Sequence, residues 1–452
     1  VADQDDVLTV ADKLWSGELS TTELHPLWPE TGLAEVADGV AFVPSFANVS
    51  AVRTEDGLFL VDTGSSMMAA GIHRTIRTWS PGRLHTAVYS HGHIDHVFGV
   101  PVWAAESEEA GWPEPVVVAH EALPPRFDRY IRTAGYNAII NRRQFGIDSL
   151  EWPTDYRYPD RTYRDHLELD VGGTRAHLHH ARGETDDHTW TWFPDAKVLC
   201  CGDLFIWASP NAGNPQKVQR YPAEWAEALR TMLALYDSPD GGPEVLLPGH
   251  GYPVVGADRV RQALTDTAEL LESLVEQTLA MMNAGARLDE IIHSATPPAG
   301  LIERPYLRPV YDEPEFIVRT IWRQYGGWWD GNPASLKPAP ERALAGELAE
   351  LAGGAGVLAE RAEALVEGTG PGGAGPAGVG PAGVGPDEQA LRLAGHLAEL
   401  AWLATPDDPE IQRIRRTVNT KRARAASSTM ARGVFSWAAR ESGDAGGDKR
   451  SE

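Results

Sequence analysis

Within Ser90-His91-Gly92-His93-Ile94-Asp95-His96, three histidines and one carboxylate occupy the six positions from His91 to His96. That density of nitrogen and oxygen donors points to a metal-binding loop, because three histidines packed as core groups at this spacing would each need a buried partner. His91 and His93 are two apart, so on an extended loop they point the same way and chelate one ion. Asp95 and His96 lie one turn further on and serve a second ion close by. Two cations about 3.5–4 Å apart lower the pKa of a bridging water towards neutrality, and they neutralise charge as a bond breaks. Such chemistry needs no serine or cysteine nucleophile. Cys200 and Cys201 lie in an apolar run and read as inert packing residues, since adjacent thiols rarely pair.

Each ion needs further ligands, and the ends of later strands offer them. His188 closes the polar loop Gly183-Glu184-Thr185-Asp186-Asp187-His188; Asp203 follows Val198-Leu199-Cys200-Cys201-Gly202; His250 sits in Pro248-Gly249-His250-Gly251. Each has a rival reading. Asp186 and Asp187 offer carboxylates in the same loop as His188, Asp203 alone would suit a helix N-cap, and His250 between glycines would suit a turn. His120, His177, His179 and His180 read as structural or surface histidines; His179 and His180 share a strand and face opposite ways. A nitrogen and oxygen donor set without sulfur suits zinc, and iron and manganese also accept it.

The elements that position these groups are mixed. Leu84 to Tyr89 reads as a strand, which puts the ligand loop at a strand's carboxyl end, where α/β folds place their chemistry. Strands over 48–53 and 57–62, a helix over 68–79 and the strand 85–90 make a β-β-α-β beginning. Strands over 166–171 and 174–180 meet across Gly172-Gly173. A hairpin over 189–204, a helix over 223–235 and a strand over 244–247 complete two β/α halves within about residues 30–255. Residues 122–165 read as an irregular Arg-, Tyr- and Pro-rich insertion of the kind that forms a substrate lid. From 257 the pattern is helical: 259–284, 288–294, 315–325, 340–366, 387–404 and 409–439. Between them, 369–386 repeats Gly-Pro-Ala-Gly-Val and reads as a flexible insertion.

At 452 residues the chain exceeds one ordinary domain. A net charge of -24, from 40 basic and 64 acidic side chains, argues against a nucleic-acid partner and requires a locally basic pocket for any anionic substrate. No apolar run approaches the ~20 residues of a membrane span. The acidic start Val-Ala-Asp-Gln-Asp-Asp lacks the basic and apolar regions of a signal peptide, so a cytoplasmic location is expected.

His-X-His-X-Asp-His, a lone His, Gly-Asp after a strand and Pro-Gly-His-Gly, in that order, resemble the signature of the metallo-β-lactamase fold hydrolases. The resemblance implies an α/β fold, a four-layer αββα sandwich. It also implies a first metal on His91, His93 and His188, a second on Asp95, His96 and His250, with Asp203 bridging and Asp62 supporting from behind. Asp95 and Asp203 would be the catalytic carboxylates and two Zn2+ the cofactors. Tyr325-Gly326-Gly327-Trp328-Trp329-Asp330-Gly331-Asn332-Pro333-Ala334-Ser335-Leu336 resembles a segment of the type III alkylsulfatases, which implies a helical dimerisation domain and a homodimer. Characterised members of that group have glutamates in place of the lone His and the bridging Asp; the reading here keeps His188 and Asp203. The expected organisation is a hydrolase domain over 1–255, a dimerisation domain over 256–368 and 387–441 interrupted by the 369–386 insertion, and a disordered tail over 442–452.

Lys217 and Arg220 fall about where those sulfatases place sulfate-binding arginines. Tyr136, Asn137, Asn141, Arg142 and Arg143 are further candidates for substrate contact, and Phe205, Ile206 and Trp207 for an alkyl channel. The resemblance therefore implies hydrolysis of an alkyl sulfate by metal-bridged hydroxide. Another ester class (lactone, phosphodiester or thioester) on the same metals is the alternative, and a di-iron oxidoreductase the rival of a different class.

Overall fold

Short β-branched runs punctuated by tight turns fold the N-terminal part of the chain into two mixed sheets. In the computed structural model, which describes residues 6–29, 32–368 and 386–444, the strands are short and their order is simple. The first sheet runs β1 (Ala34–Ala37), β2 (Val40–Val43), β3 (Val49–Thr54), β4 (Gly57–Val61), β5 (Leu84–Val88), β6 (Val116–His120), β7 (Arg161–Tyr163). The second contains β8 (His166–Val171), β9 (Thr174–Ala181), β10 (His188–Phe193), β11 (Val198–Gly202), β12 (Val245–Pro248) and β13 (Val254–Val255), in the reverse order across the sheet.

β1 to β4 pair antiparallel, whereas β4, β5 and β6 pair parallel. Parallel neighbours need a crossover, and helices Ala69–Trp79 and Val100–Ala110 provide it. Alternation on β4 builds the layers: Leu58 and Leu60 join Ile72, Ile76, Val100 and Trp103 in one core, while Phe59 packs edge-on against Phe193 of the second sheet, centroids 5.3 Å apart. The helix Pro222–Leu233 packs on β9. Two sheets with helices outside them make the α/β sandwich, and each buried large side chain such as Trp103 adds about 1.5–3 kcal/mol to holding it.

Residues 122–165 are more regular than their composition indicates. Leu123–Arg132 and Ala134–Phe145 are helices, and β7 follows. Pro124 and Pro125 sit in the first turn of their helix, where a missing N–H costs nothing, and Leu123, Phe127 and Tyr130 form a buried stripe at helical spacing. The expected helix over 340–366 is two, broken at Gly353-Gly354, both with positive φ (90° and 134°). The expected helix over 409–439 is also two, and the last, Thr429–Asp444, runs beyond 442, where a tail was expected. The insertion over 369–386 lies outside the described residues except Pro386, which opens a helix, and so does the tail beyond Asp444.

The chain divides into two compact units. The first takes the described residues up to Gly135, Trp152–Gln277 and Pro297–Gln324; the second takes Tyr136–Glu151, Thr278–Thr296 and the described residues from Tyr325 on. The second unit is helical, with Ala359, Ala362, Ala394, Ala398, Ala401, Ile411, Ile414 and Val418 as its core. Alanine seams let these helices approach closely, and buried Arg415 ties them by ion pairs to Glu399 (2.8 Å) and Glu441 (3.0 Å). The Trp-rich segment is a capped turn: Trp329 Nε1 donates to Asn332 O (2.8 Å), and Asp330 accepts from Asn332 N (2.9 Å) and Ser335 Oγ (2.9 Å). No helix among the described residues is long and apolar enough to cross a membrane.

Candidate metal centre

The ligand loop follows β5 and is clamped on the turn that follows β4. Asp62, held at φ 59°, accepts hydrogen bonds from Ser90 N (2.7 Å) and Ser90 Oγ (2.7 Å), and its Oδ2 lies 2.8 Å from His96 Nδ1. Thr63 donates twice to His96 O, from N (2.8 Å) and Oγ1 (3.0 Å). Gly99 is required by this close approach, since a Cβ there would stand 1.9 Å from Thr63 O. From the other side, Asp187 accepts from Gly92 N (2.9 Å) and pairs with Arg126 Nε (2.8 Å). Both groups are buried, and Arg126 also pairs with Asp186.

Two donor groups converge above this loop. In one, single donor atoms of His91, His93, Glu184 and Asp203 all lie within 4.8 Å of one another; in the other, those of Asp95, His96 and His250 do. Asp203 faces both. Its Oδ2 is 3.8 Å from His91 Nε2 and 3.3 Å from His250 Nε2, and its Oδ1 is 3.4 Å from His96 Nε2. The far nitrogens of three rings are held: His91 Nδ1 by Ser90 Oγ (3.0 Å), His96 Nδ1 by Asp62, and His250 Nδ1 by Phe46 O. Ligating imidazoles are oriented in this way, through the nitrogen that does not bind. His96 Nε2, Asp203 Oδ1 and Glu184 Oε2 are buried without a hydrogen-bond partner. Buried polar atoms left unpaired cost free energy, so converging orphans on a nitrogen and oxygen donor set fit divalent cations.

The charge around the centre is divided. Burial, then Arg220 and Arg126, keep His93 well below the usual imidazole range; burial and the neighbouring histidines do the same for His91. Neutral imidazole is the form that ligates. Burial opposes the charge on His96, but Asp203, Asp62 and Asp95 carry it up to about 10. Burial would raise the Asp203 carboxyl, but His250, His96 and His91 hold it well below the usual range. Burial, with Asp203 and Asp95, pushes Glu184 well above its ordinary value against the pull of Arg220.

The residues picked out from the sequence separate into groups. His91, His93, Asp95, His96, Asp203 and His250 come together. His188 is buried behind them: its Nε2 lies 3.1 Å from Cys201 O, and its ring stacks on His91 with centroids 5.0 Å apart. The donor grouped with His91 and His93 is Glu184, which sequence reasoning passed over. The available signal was its place in the polar loop between β9 and β10, four residues before His188. Glu184 Oε1 accepts from Arg220 Nη2 (2.9 Å) and Asn211 Nδ2. Arg220 is 1% exposed, and its Nε and Nη1 have no hydrogen-bond partner. Lys217 is half-buried, its Nζ 5.8 Å from the centre of the Trp152 ring, and burial and then Arg220 push it down to about 7.

Phe205, Ile206 and Trp207 are core; Trp207 Nε1 donates to Tyr252 O (2.6 Å). Tyr136, Asn137, Asn141, Arg142 and Arg143 belong to the second unit. There Asn141 Nδ2 donates to Asn137 O (2.8 Å), Arg142 Nε donates to Leu150 O (2.7 Å), Arg143 lies over Trp437, and Tyr136 is exposed.

Two family models match the chain: the metallo-beta-lactamase superfamily over residues 43–250, and alkyl sulfatase dimerisation over residues 287–370. The chain is a metallo-β-lactamase-fold, alkylsulfatase-like protein. A linear primary-alkylsulfatase of Pseudomonas sp. is 27% identical over 329 residues, which cover 67% of this chain and 60% of that protein. An (R)-specific secondary-alkylsulfatase of Pseudomonas sp. is 25% identical over 377 residues, covering 75% of this chain and 56% of that protein. The alkylsulfatase-like chain thus spans somewhat over half the length of the curated relatives it matches. A solved stereoselective inverting sec-alkylsulfatase from Pseudomonas sp. superposes with a TM-score of 0.79 at 22% identity, covering 98% of this chain and 69% of that one. That likeness establishes the fold of the alkylsulfatase-like chain.

Proposed function

We propose that this chain is a metal-dependent hydrolase of alkyl sulfate esters. One observation carries the choice of an anionic ester: Arg220, a buried guanidinium, touches the donor cluster through Glu184 and keeps two nitrogens unpaired. A planar, buried guanidinium with two nitrogens left over is suited to a sulfate group. The alkylsulfatase relatives support the same substrate class.

Two zinc ions fit the donors, one on His91, His93 and Glu184, the other on Asp95, His96 and His250, with Asp203 shared. Held there, they would supply Lewis acidity and a water of lowered pKa. Glu184 would hold the first ion beside His91 and His93, in the role that the resemblance gave to His188, and a glutamate is what the type III alkylsulfatases use. His188 then positions His91 by stacking. Asp62 holds His96, Asp187 holds the Gly92 backbone, and Arg220 with Lys217 binds and orients the sulfate group. The dimerisation-domain match supports a homodimer formed by the helical part.

Zinc-loaded protein, assayed on primary and secondary alkyl sulfates beside uncharged esters, lactones and phosphodiesters, tests this reading. Sulfate release from the alkyl sulfates is expected. Turnover confined to lactones or phosphodiesters would reject the substrate class, and bound iron with reductant-dependent spectral change would reject hydrolysis.

A further inference from the structure

A second histidine cluster lies on the strands of the β8–β9 hairpin, outside the loops that build the centre. His166 and Glu168 of β8 stand opposite His179 and His177 of β9 in an unbroken antiparallel register that runs from the Val171↔Thr174 pair to the His166↔His179 pair. The turn is Gly172-Gly173, both with positive φ (51° and 75°), a geometry that matches strand twist and pins register. His180 N donates to Asp165 O (2.9 Å), which makes that pair a hydrogen-bonded one. By alternation, His166/His179 and Glu168/His177 are then non-hydrogen-bonded pairs, the kind whose side chains stand closer.

All four side chains share one face, because they are two apart on each strand. The opposite face takes Leu167, Leu169, Ala176 and Leu178. Donor atoms of His166, Glu168 and His177 lie within 4.8 Å of one another, and His177 Nδ1 is 3.9 Å from Glu168 Oε1. His179 adds a third imidazole: its ring centroid is 4.4 Å from that of His166, and it is pinned by stacking on buried Trp190 at 4.0 Å.

We infer that His166, Glu168 and His177, with His179 beside them, form a separate surface site for a divalent transition-metal ion such as zinc or copper. Zinc–ligand bonds of about 2.0–2.2 Å put two donors on one ion about 3–3.5 Å apart. His166 and Glu168 are exposed, so small side-chain rotations close the remaining gap. The donor set, two or three imidazoles and one carboxylate, suits zinc and follows the usual order with copper above zinc. A cation here fastens β8, the edge strand of its sheet among the described residues, to β9.

The test compares the full chain with a His166→Ala/His177→Ala double variant. Both are stripped with chelator, dialysed against zinc and counted by plasma mass spectrometry. The variant is expected to retain one zinc fewer per chain, with the melting temperature of the stripped protein unchanged. Equal zinc counts would overturn the site. Copper(II) added to zinc-loaded protein is expected to show imidazole-nitrogen coupling by electron paramagnetic resonance in the parent and to lose it in the variant; identical spectra would overturn it as well.

Discussion

The two donor groups of the candidate metal centre use similar side chains in opposite surroundings. His93 stands where Arg220 and Arg126 add to burial in keeping its imidazole neutral, whereas His96 is surrounded by Asp203, Asp62 and Asp95, which favour its charge. Along the loop, the charges that weigh most therefore change from two guanidiniums at His93 to three carboxylates at His96. The difference gives the centre a direction. The guanidinium side is suited to an anionic group and the carboxylate side to a cation.

The comparison breaks most completely at the shared loop. His93→Ala is expected to lose metal from the first half and take hydrolysis to background; plasma mass spectrometry showing both metals retained would refute the grouping. Glu184→Gln and His188→Ala sharpen the same half: the first should lose metal, the second only about 1–3 kcal/mol of stability in denaturant titration. The reverse pattern would return the third ligand position to His188.

Arg220→Ala tests the cationic side. Losing charged hydrogen bonds worth about 1.5–3 kcal/mol should lower kcat/KM for alkyl sulfates about 10- to 150-fold while sparing uncharged esters. Equal losses on both would remove its role in anion binding. Asp62→Asn tests the carboxylate side, and metal affinity in the second half should fall about 10- to 100-fold by competition with a chelating dye.

The smallest effect is that of pH. Lys217, held down to about 7 by burial and by Arg220, is charged below that pH and neutral above it. KM for an alkyl sulfate should therefore rise from pH 6 to 8 by about 2- to 5-fold, the size of a partly exposed ion pair. Lys217→Ala should flatten that rise; an unchanged slope would exclude Lys217 from the anion site.

Most of the candidate centre was legible because its donor residues are local or follow strands. His91, His93, Asp95 and His96 are adjacent in sequence, and Asp203 and His250 follow the strands β11 and β12. Glu184 and His188 were not separable in this way. Both lie within the polar stretch Gly183 to His188, and periodicity does not say where a strand begins. In the fold β10 begins at His188, paired with Ala181, and its ring lies beside Cys201 and His91. The helices within 122–165 were hidden by Pro124-Pro125, which read as loop until their place in a first turn is known.

The sequence by itself determined that nitrogen and oxygen donors of the metal-binding type gather in one loop, and that a mixed α/β part precedes a helical one. Ligand chemistry and periodicity are local properties. Only the tertiary structure decided that Glu184 joins His91 and His93, that Arg126 meets Asp187 behind Gly92, and that Arg220 is buried against Glu184. Those contacts join residues tens of positions apart. Their energetics depend on burial, which no stretch of sequence carries alone.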